Sequence, residues 1–234
     1  MKIYSKKDPI NIDLKLSSEP FTLLVDKSVD WTSFDVVNKL KRVFSIKKIG
    51  HAGTLDPFAT GLLIVCFNKA TKTISSYQDR FKVYDATIKL GEETDSCDLT
   101  GNVVKRSDYI PSSDQLSIIE EKFKGEIEQI PPIFSALKKN GKRMYDLARK
   151  GVVVEPDPRL VTIHDYSNIF YEYPSLSFTV KVSKGTYIRS LGRDIAKSIN
   201  SCGHLSFLRR TAIGEFLVDD AYTISEIMEI MDIS

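Results

Sequence analysis

The densest unusual chemistry in the chain lies in Gly50-His51-Ala52-Gly53-Thr54-Leu55-Asp56-Pro57-Phe58-Ala59-Thr60-Gly61, which holds three glycines, one histidine and one carboxylate. Glycines let the backbone turn sharply or approach a ligand, and Pro57 pushes Asp56 out of the α region, so Asp56 is expected on a stiff loop. Such an aspartate either accepts local backbone N–H bonds in a turn or presents a reactive carboxylate. A phosphate cradle is disfavoured, because the loop lacks the G-x-x-x-x-G-K-[ST] lysine and its central carboxylate would repel phosphate. Two basic clusters flank the loop in sequence: Lys39, Lys41, Arg42, Lys47 and Lys48 before it, and Lys138, Lys139, Lys142, Arg143, Arg149 and Lys150 after it. Net charge is only +2, so the distribution carries the signal of a polyanionic partner. Residues 214–234 carry six acidic side chains and no Lys or Arg, and would be repelled by phosphate. Cys66, Cys97 and Cys202 are far apart, which suggests neither a disulfide framework nor a zinc site.

The elements that must position these residues follow from periodicity. At 234 residues, 42% of them hydrophobic, the chain can bury a sizeable core, with no apolar run of membrane-spanning length and no signal-peptide core at the N-terminus. A cytoplasmic protein is expected. Residues 1–20 are polar and proline-interrupted and read as an arm. Residues 21–25 read as a buried strand. Thr32 and Asp35 have capping-box spacing before a helix over 33–45, with an apolar stripe of Phe34, Val37, Leu40, Val43 and Phe44. Residues 62–67 fit a central strand, 69–78 a helix, and 81–90 a half-buried strand. Residues 91–101 read as a loop, and 113–123 as a helix opened by Ser112 or Ser113 and closed by Gly125. A proline-broken stretch from Gln129 leads to a short helix near 142–149 and an edge or terminating strand at 152–155. Strands at 159–171 and 176–183, a helix at 186–199, a last strand at 212–218 and an acidic helix at 223–231 complete the chain. Strands and helices without regular βαβ alternation argue for an α+β fold.

Resemblance sharpens this reading. Gly53-Thr54-Leu55-Asp56-Pro57 resembles the catalytic loop of the TruB-type tRNA pseudouridine synthases, in which the aspartate of GTLDP is catalytic. Lys82-Val83-Tyr84 resembles that family's K-x-Y element, whose tyrosine lies against the target base. Ser183-Lys184-Gly185-Thr186-Tyr187-Ile188-Arg189 resembles its SKGTYIR element, whose arginine pairs with the catalytic aspartate. Cys202 to Arg210 resembles the segment lining the uracil pocket, with Leu208 in the apolar place. Gln129 to Gly151 resembles the RNA-gripping insertion called a thumb, which contains Lys138, Lys139, Lys142 and Arg143. His51 matches the histidine that fills the space left by a flipped base, and Lys27 a lysine near the site.

The resemblance implies one catalytic domain over residues 1–234, with a mixed, largely antiparallel sheet, a catalytic cleft and a thumb at about 129–151. It implies isomerisation of uridine to pseudouridine in the T-loop of tRNA, at the position called 55, by a monomer that needs no metal or nucleotide cofactor and no obligate protein partner. Asp56 would be the nucleophile. Tyr84 would stack on the base, contributing roughly 1 to 3 kcal/mol, and reach the C5 proton. Arg189 would keep Asp56 ionised, lowering its pKa by about 1 to 3 units as ion pairing typically does. Attack at the sugar C1′, attack on the uracil ring and assisted loss of the base all remain open. Family members commonly continue into a C-terminal RNA-binding domain of the PUA kind, whereas this sequence ends after one acidic helix, which puts contacts to the distal part of tRNA in doubt. A non-catalytic RNA-binding factor on the same scaffold would keep the basic clusters but need no Asp56, Tyr84 and Arg189 together.

Overall fold

The computed structural model describes residues 2–134, 138–139, 142–143 and 156–232. In chain order, β1 (Lys2–Tyr4) and β2 (Phe21–Lys27) precede helix α1 (Ser33–Phe44) and strands β3 (Ile49–His51) and β4 (Thr60–Phe67). A 3₁₀ turn at Asn68–Thr73 runs into α2 (Ile74–Gln78), followed by β5 (Lys82–Leu90), β6 (Glu92–Thr94) and β7 (Val103–Arg106). A second 3₁₀ turn, Ser113–Leu116, opens α3 (Ser117–Phe123), which leads into β8 (Gly125–Gln129), β9 (Lys138–Lys139) and β10 (Lys142–Arg143). The chain ends with β11 (Arg159–Glu172), β12 (Ser175–Val182), α4 (Ile188–Ser198), β13 (Gly203–Ile213), β14 (Phe216–Leu217), β15 (Tyr222–Thr223) and α5 (Ile224–Ile230). The fold is α+β with mixed strand pairing.

Two compact units divide the chain: one comprises residues 1–84 and 208–234, the other residues 85–207. In the first unit, β2 pairs antiparallel with β4 from Phe21↔Phe67 to Lys27↔Gly61, and parallel with β1 and β15. β4 also takes β3 antiparallel and the C-terminal half of β13 parallel. The core under α1 contains a stack of Phe21 on Phe67 with ring centroids 4.2 Å apart, and the edge of Phe44 meets Phe67 at 5.1 Å. Such aromatic contacts contribute about 0.5–1.5 kcal/mol beyond the apolar area they bury. In the second unit, β11 pairs antiparallel with β12 and β8. Ile88, Val180, Leu191, Ile195 and Leu205 are buried there, and a Cβ at Gly192 would touch Leu205 and Ile88, so α4 packs closely over β5 and the first half of β13.

Several expectations need correction. The first twenty residues are not an arm: β1 pairs with β2, and Tyr4, Ile10 and Leu14 are buried in the core beneath α1. Phe34 is 63% exposed and Val36 takes its place in the buried stripe. Residues 69–78 form a 3₁₀ turn and a short α-helix instead of one helix, and the same holds for 113–123. The expected loop at 91–101 begins with β6, which pairs with β7. The strand expected at 212–218 is a hairpin instead: the end of β13, which starts at Gly203, turns back into β14, with Ala212 opposite Leu217 and Ile213 opposite Phe216. Lys142 and Arg143 form a strand ladder with Lys138 and Lys139 where a helix was expected; residues 144–149 and the strand expected at 152–155 lie outside the described residues. The acidic C-terminal segment is tied to N-terminal lysines, Lys6 to Glu226 at 2.9 Å and Lys7 to Asp220 at 2.7 Å.

Gly61 shows why β4 and β13 can approach. It lies opposite Arg210 at φ +106°, and an added Cβ would sit 2.3 Å from the Arg210 carbonyl oxygen. Left-handed backbone alone costs an L-residue about 1–2 kcal/mol. With the overlap added, Gly61→Ala is expected to lose about 2–4 kcal/mol, or roughly 4–16 °C in Tm for a chain of this size. Thermal unfolding followed by circular dichroism measures this directly, and a Tm within a degree of wild type would refute it.

Candidate active site

Asp56 is half-buried on the loop between β3 and β4, and three neighbours fix the backbone on either side of it. Before it, Ser33 in the first turn of α1 accepts the Leu55 N–H at 2.9 Å and donates its hydroxyl to the Leu55 carbonyl at 3.3 Å. The position of Ser33 is set by the capping box, in which the Thr32 hydroxyl accepts the Asp35 N–H and the Asp35 carboxylate accepts the Thr32 N–H. After Asp56, the Pro57 carbonyl accepts from the Asp30 N–H at 2.9 Å and from Lys27 Nζ at 3.2 Å. A turn from Asp56 to Ala59, closed at 3.1 Å, completes the loop.

Lys27 is fully buried at the end of β2, and its ammonium also donates to the Ser28 and Trp31 carbonyls at 2.9 and 2.6 Å. All three donors of the ammonium are thus spent on carbonyls, which join the 28–31 turn to the Asp56 loop. Burial pushes the Lys27 pKa down to about 8, opposed first by the negative charge of Asp56 and reinforced by Arg210. The lysine expected near the site is therefore a brace under the loop.

His51 ends β3 opposite Val65, and its Nδ1 is buried without a hydrogen-bond partner among the described residues. Burial lowers its pKa from the usual value, and Arg210 lowers it further, so the ring is a neutral imidazole near pH 7. Leu208 is buried in β13, two residues before Arg210, and Tyr84 is buried in β5. Thr211 of β13 donates its hydroxyl to the Val83 carbonyl at 3.3 Å, tying the strand that carries Leu208 to the residue before Tyr84. Lys27, His51, Asp56, Tyr84 and Leu208 all belong to the first unit.

Arg189 belongs to the second unit, in the first turn of α4. Its Nη1 donates to the Ser96 carbonyl at 3.1 Å and lies 3.4 Å from Asp98 Oδ2, and its Nη2 donates to the Phe134 carbonyl at 2.9 Å. Both ion-pair partners are buried, with side chains only 6% and 5% exposed. The other oxygen of Asp98 accepts from Ser96 Oγ, the Thr100 N–H and Thr100 Oγ1 at 2.6–2.9 Å, which fixes the carboxylate. Gln129, at the start of the expected thumb, is buried and clasps the Tyr187 backbone, its amide accepting the N–H at 2.8 Å and donating to the carbonyl at 3.1 Å. The basic residues Lys138, Lys139, Lys142 and Arg143 form the β9–β10 ladder in the same unit.

Over residues 41–188 the sequence matches the family described as TruB family pseudouridylate synthase, N-terminal domain. The chain belongs to this family. It is 43% identical over 210 residues to the tRNA pseudouridine synthase B of Francisella tularensis subsp. novicida, a match covering 89% of this chain and 70% of that protein. It is 45% identical over 210 residues to the tRNA pseudouridine synthase B of Caldanaerobacter subterraneus subsp. tengcongensis, covering 88% of this chain and 73% of that protein. Among solved structures it resembles a chain in the crystal structure of a Cbf5-Nop10-Gar1 complex, with a TM-score of 0.70 and 27% identity over 95% of this chain. The chain spans 56% of that solved chain's length. Uridine-to-pseudouridine isomerisation is thus the chemistry of its family.

Three residues that position the expected site were missed in the sequence. Ser33 follows the capping threonine directly, but nothing local says that its hydroxyl reaches Leu55. Asp98 had a weak signal, as an aspartate in a Ser/Thr-rich turn that could collect local donors. Arg210 had a better one: it shares the strand parity of buried Leu208, so an arginine was placed on the inward face of β13. Among the described residues, no group of three or more His, Cys, Asp or Glu side chains is arranged to hold a metal ion, and no helix is long and apolar enough to cross a membrane.

Proposed function

We propose that this chain isomerises uridine to pseudouridine in the T-loop of tRNA, at the position called 55, with the ionised carboxylate of Asp56 as nucleophile. The observation that carries the reading is the fixation of the GTLDP loop, where Ser33 holds the residue before Asp56 and Lys27 and the Asp30 amide hold the residue after it. A carboxylate held in this way loses little orientational freedom when it meets carbon, the condition under which positioning lowers a barrier most. The curated relatives named as tRNA pseudouridine synthase B supply the substrate class.

The reaction breaks the N1–C1′ bond of uridine and forms a C5–C1′ bond. C5 loses a proton and N1 gains one, so no electrons enter or leave. Attack of Asp56 at C1′, its attack on the ring and assisted loss of the base all use the same ionised oxygen. A stacked base must first leave the T-loop, at a cost of a few kcal/mol. His51, a neutral imidazole beside the loop, is suited to the space that base vacates. Tyr84 stacks on the extruded uracil and takes the C5 proton, Leu208 keeps water from the detached base, and Lys27 braces the loop. The family resemblance gives Arg189 the task of keeping Asp56 ionised. The working protein is one catalytic domain, monomeric and cytoplasmic.

Tritium release from C5-labelled tRNA tests the reading, and absence of release by protein that binds tRNA would refute it. The thumb is tested separately. Each phosphate contact steepens the salt dependence of RNA binding. Replacing Lys138, Lys139, Lys142 and Arg143 with Ala should weaken tRNA binding and flatten its log–log salt slope. Unchanged affinity and slope across several salt concentrations would remove this segment from the RNA interface.

A further inference from the structure

Arg210 is 1% exposed, and its guanidinium reaches the two ends of the loop that carries Asp56. Nε donates to the Leu62 carbonyl at 2.7 Å, on the β4 side, and Nη2 donates to the Gly53 carbonyl at 3.1 Å, on the β3 side. Its backbone also pairs with Gly61 so closely that only glycine fits there. One buried side chain therefore ties together the points where the chain enters and leaves the loop. Ser33, Lys27 and the Asp30 amide act between those points, on Leu55 and Pro57. The guanidinium is the one side chain with the geometry for this task, because its rigid fork presents donors in two directions at once, whereas an ammonium is a point donor on a flexible stem.

We infer that Arg210 is a positioning residue for pseudouridine formation, clamping both ends of the Asp56 loop so that the carboxylate meets the nucleotide in one geometry. This rests on the reading of Asp56 as nucleophile. Arg210 lies beneath the loop and touches no substrate, so losing its fork affects the rate of the chemical step more than RNA binding. A displacement of about 1 Å at a reacting group can lower a rate about 100-fold.

The test uses Arg210→Lys, which keeps the charge and most of the length but cannot span both carbonyls, and Arg210→Met, which removes every donor. Phe21→Leu, in the aromatic stack away from the loop, controls for stability alone. Single-turnover rates and tRNA affinity are measured for all three, with amide hydrogen exchange over residues 52–62 in the free protein. Expected for Arg210→Lys is a rate lower by about 10- to 100-fold, with tRNA affinity near wild type and faster exchange confined to the loop. Phe21→Leu should keep the wild-type rate even if its Tm falls further. Should Arg210→Met fail to fold, Arg210→Lys decides the matter. Wild-type rate and wild-type loop exchange in Arg210→Lys would overturn the clamp. So would a rate loss in Phe21→Leu matching its Tm as it does in the arginine variants. Asp56→Asn is assayed beside them: if it stays active, the reading of Asp56 fails, and the exchange measurement still decides whether Arg210 holds the loop.

Discussion

Asp56→Asn is expected to form no detectable pseudouridine while its tRNA affinity stays within about tenfold of wild type, a difference of about 1.4 kcal/mol. Asparagine has nearly the same shape and still accepts hydrogen bonds, but it has no ionised oxygen to attack carbon or to stabilise positive charge developing on the sugar. The loop itself should persist, because its anchors act on the backbone of Leu55 and Pro57 and leave the Asp56 side chain aside. Tritium release and filter binding on the same preparations separate the enzyme from a non-catalytic RNA-binding factor. Wild-type-like release from the Asn variant would remove Asp56 from the chemistry.

The second large effect is expected at Asp98. In Asp98→Asn the oxygen that accepts from Ser96 and Thr100 can remain, but the position of Oδ2, 3.4 Å from Arg189 Nη1, would carry an amide NH₂ pointing donors at a guanidinium. Removing one partner weakens a buried ion pair, and such losses typically cost up to about 3–5 kcal/mol. The second unit should lose stability by that order, and an Arg189 no longer held on its Asp98 side should sharply reduce pseudouridine formation. The thumb lysines are untouched, so tRNA binding should change by less than about threefold, under 1 kcal/mol. Asp98→Ala is the informative partner: it also breaks the pair but directs no donors at Arg189, so its rate should lie between those of wild type and Asp98→Asn. Both variants with wild-type Tm and rate would show that Asp98 does not hold Arg189.

Much of this protein was legible in the sequence wherever the signal is local. The Thr32–Asp35 box marked the start of α1 because a cap is written within four residues. The alternation of residues 81–90 marked β5 because side chains of a strand change face at every step. The GTLDP loop stood out because glycine and proline restrict backbone whatever surrounds them. Contacts distant in sequence decided the rest. The first strand looked like an arm because its partner begins at Phe21, many polar residues later, and β6 looked like a loop because its ladder with β7 exists only once the intervening turn has closed. Helical spacing alone admits either Phe34 or Val36 to the buried stripe, and the sheet beneath α1 chose Val36, leaving the larger ring exposed. The same division runs through the candidate site. Residue types and spacing were enough to select Asp56, Tyr84, Arg189 and His51 by resemblance. That Arg210 is a two-ended clamp, Lys27 a brace on three carbonyls and Asp98 the seat of Arg189 depended on tertiary structure, because a buried charge is tolerated only beside partners that the rest of the fold delivers.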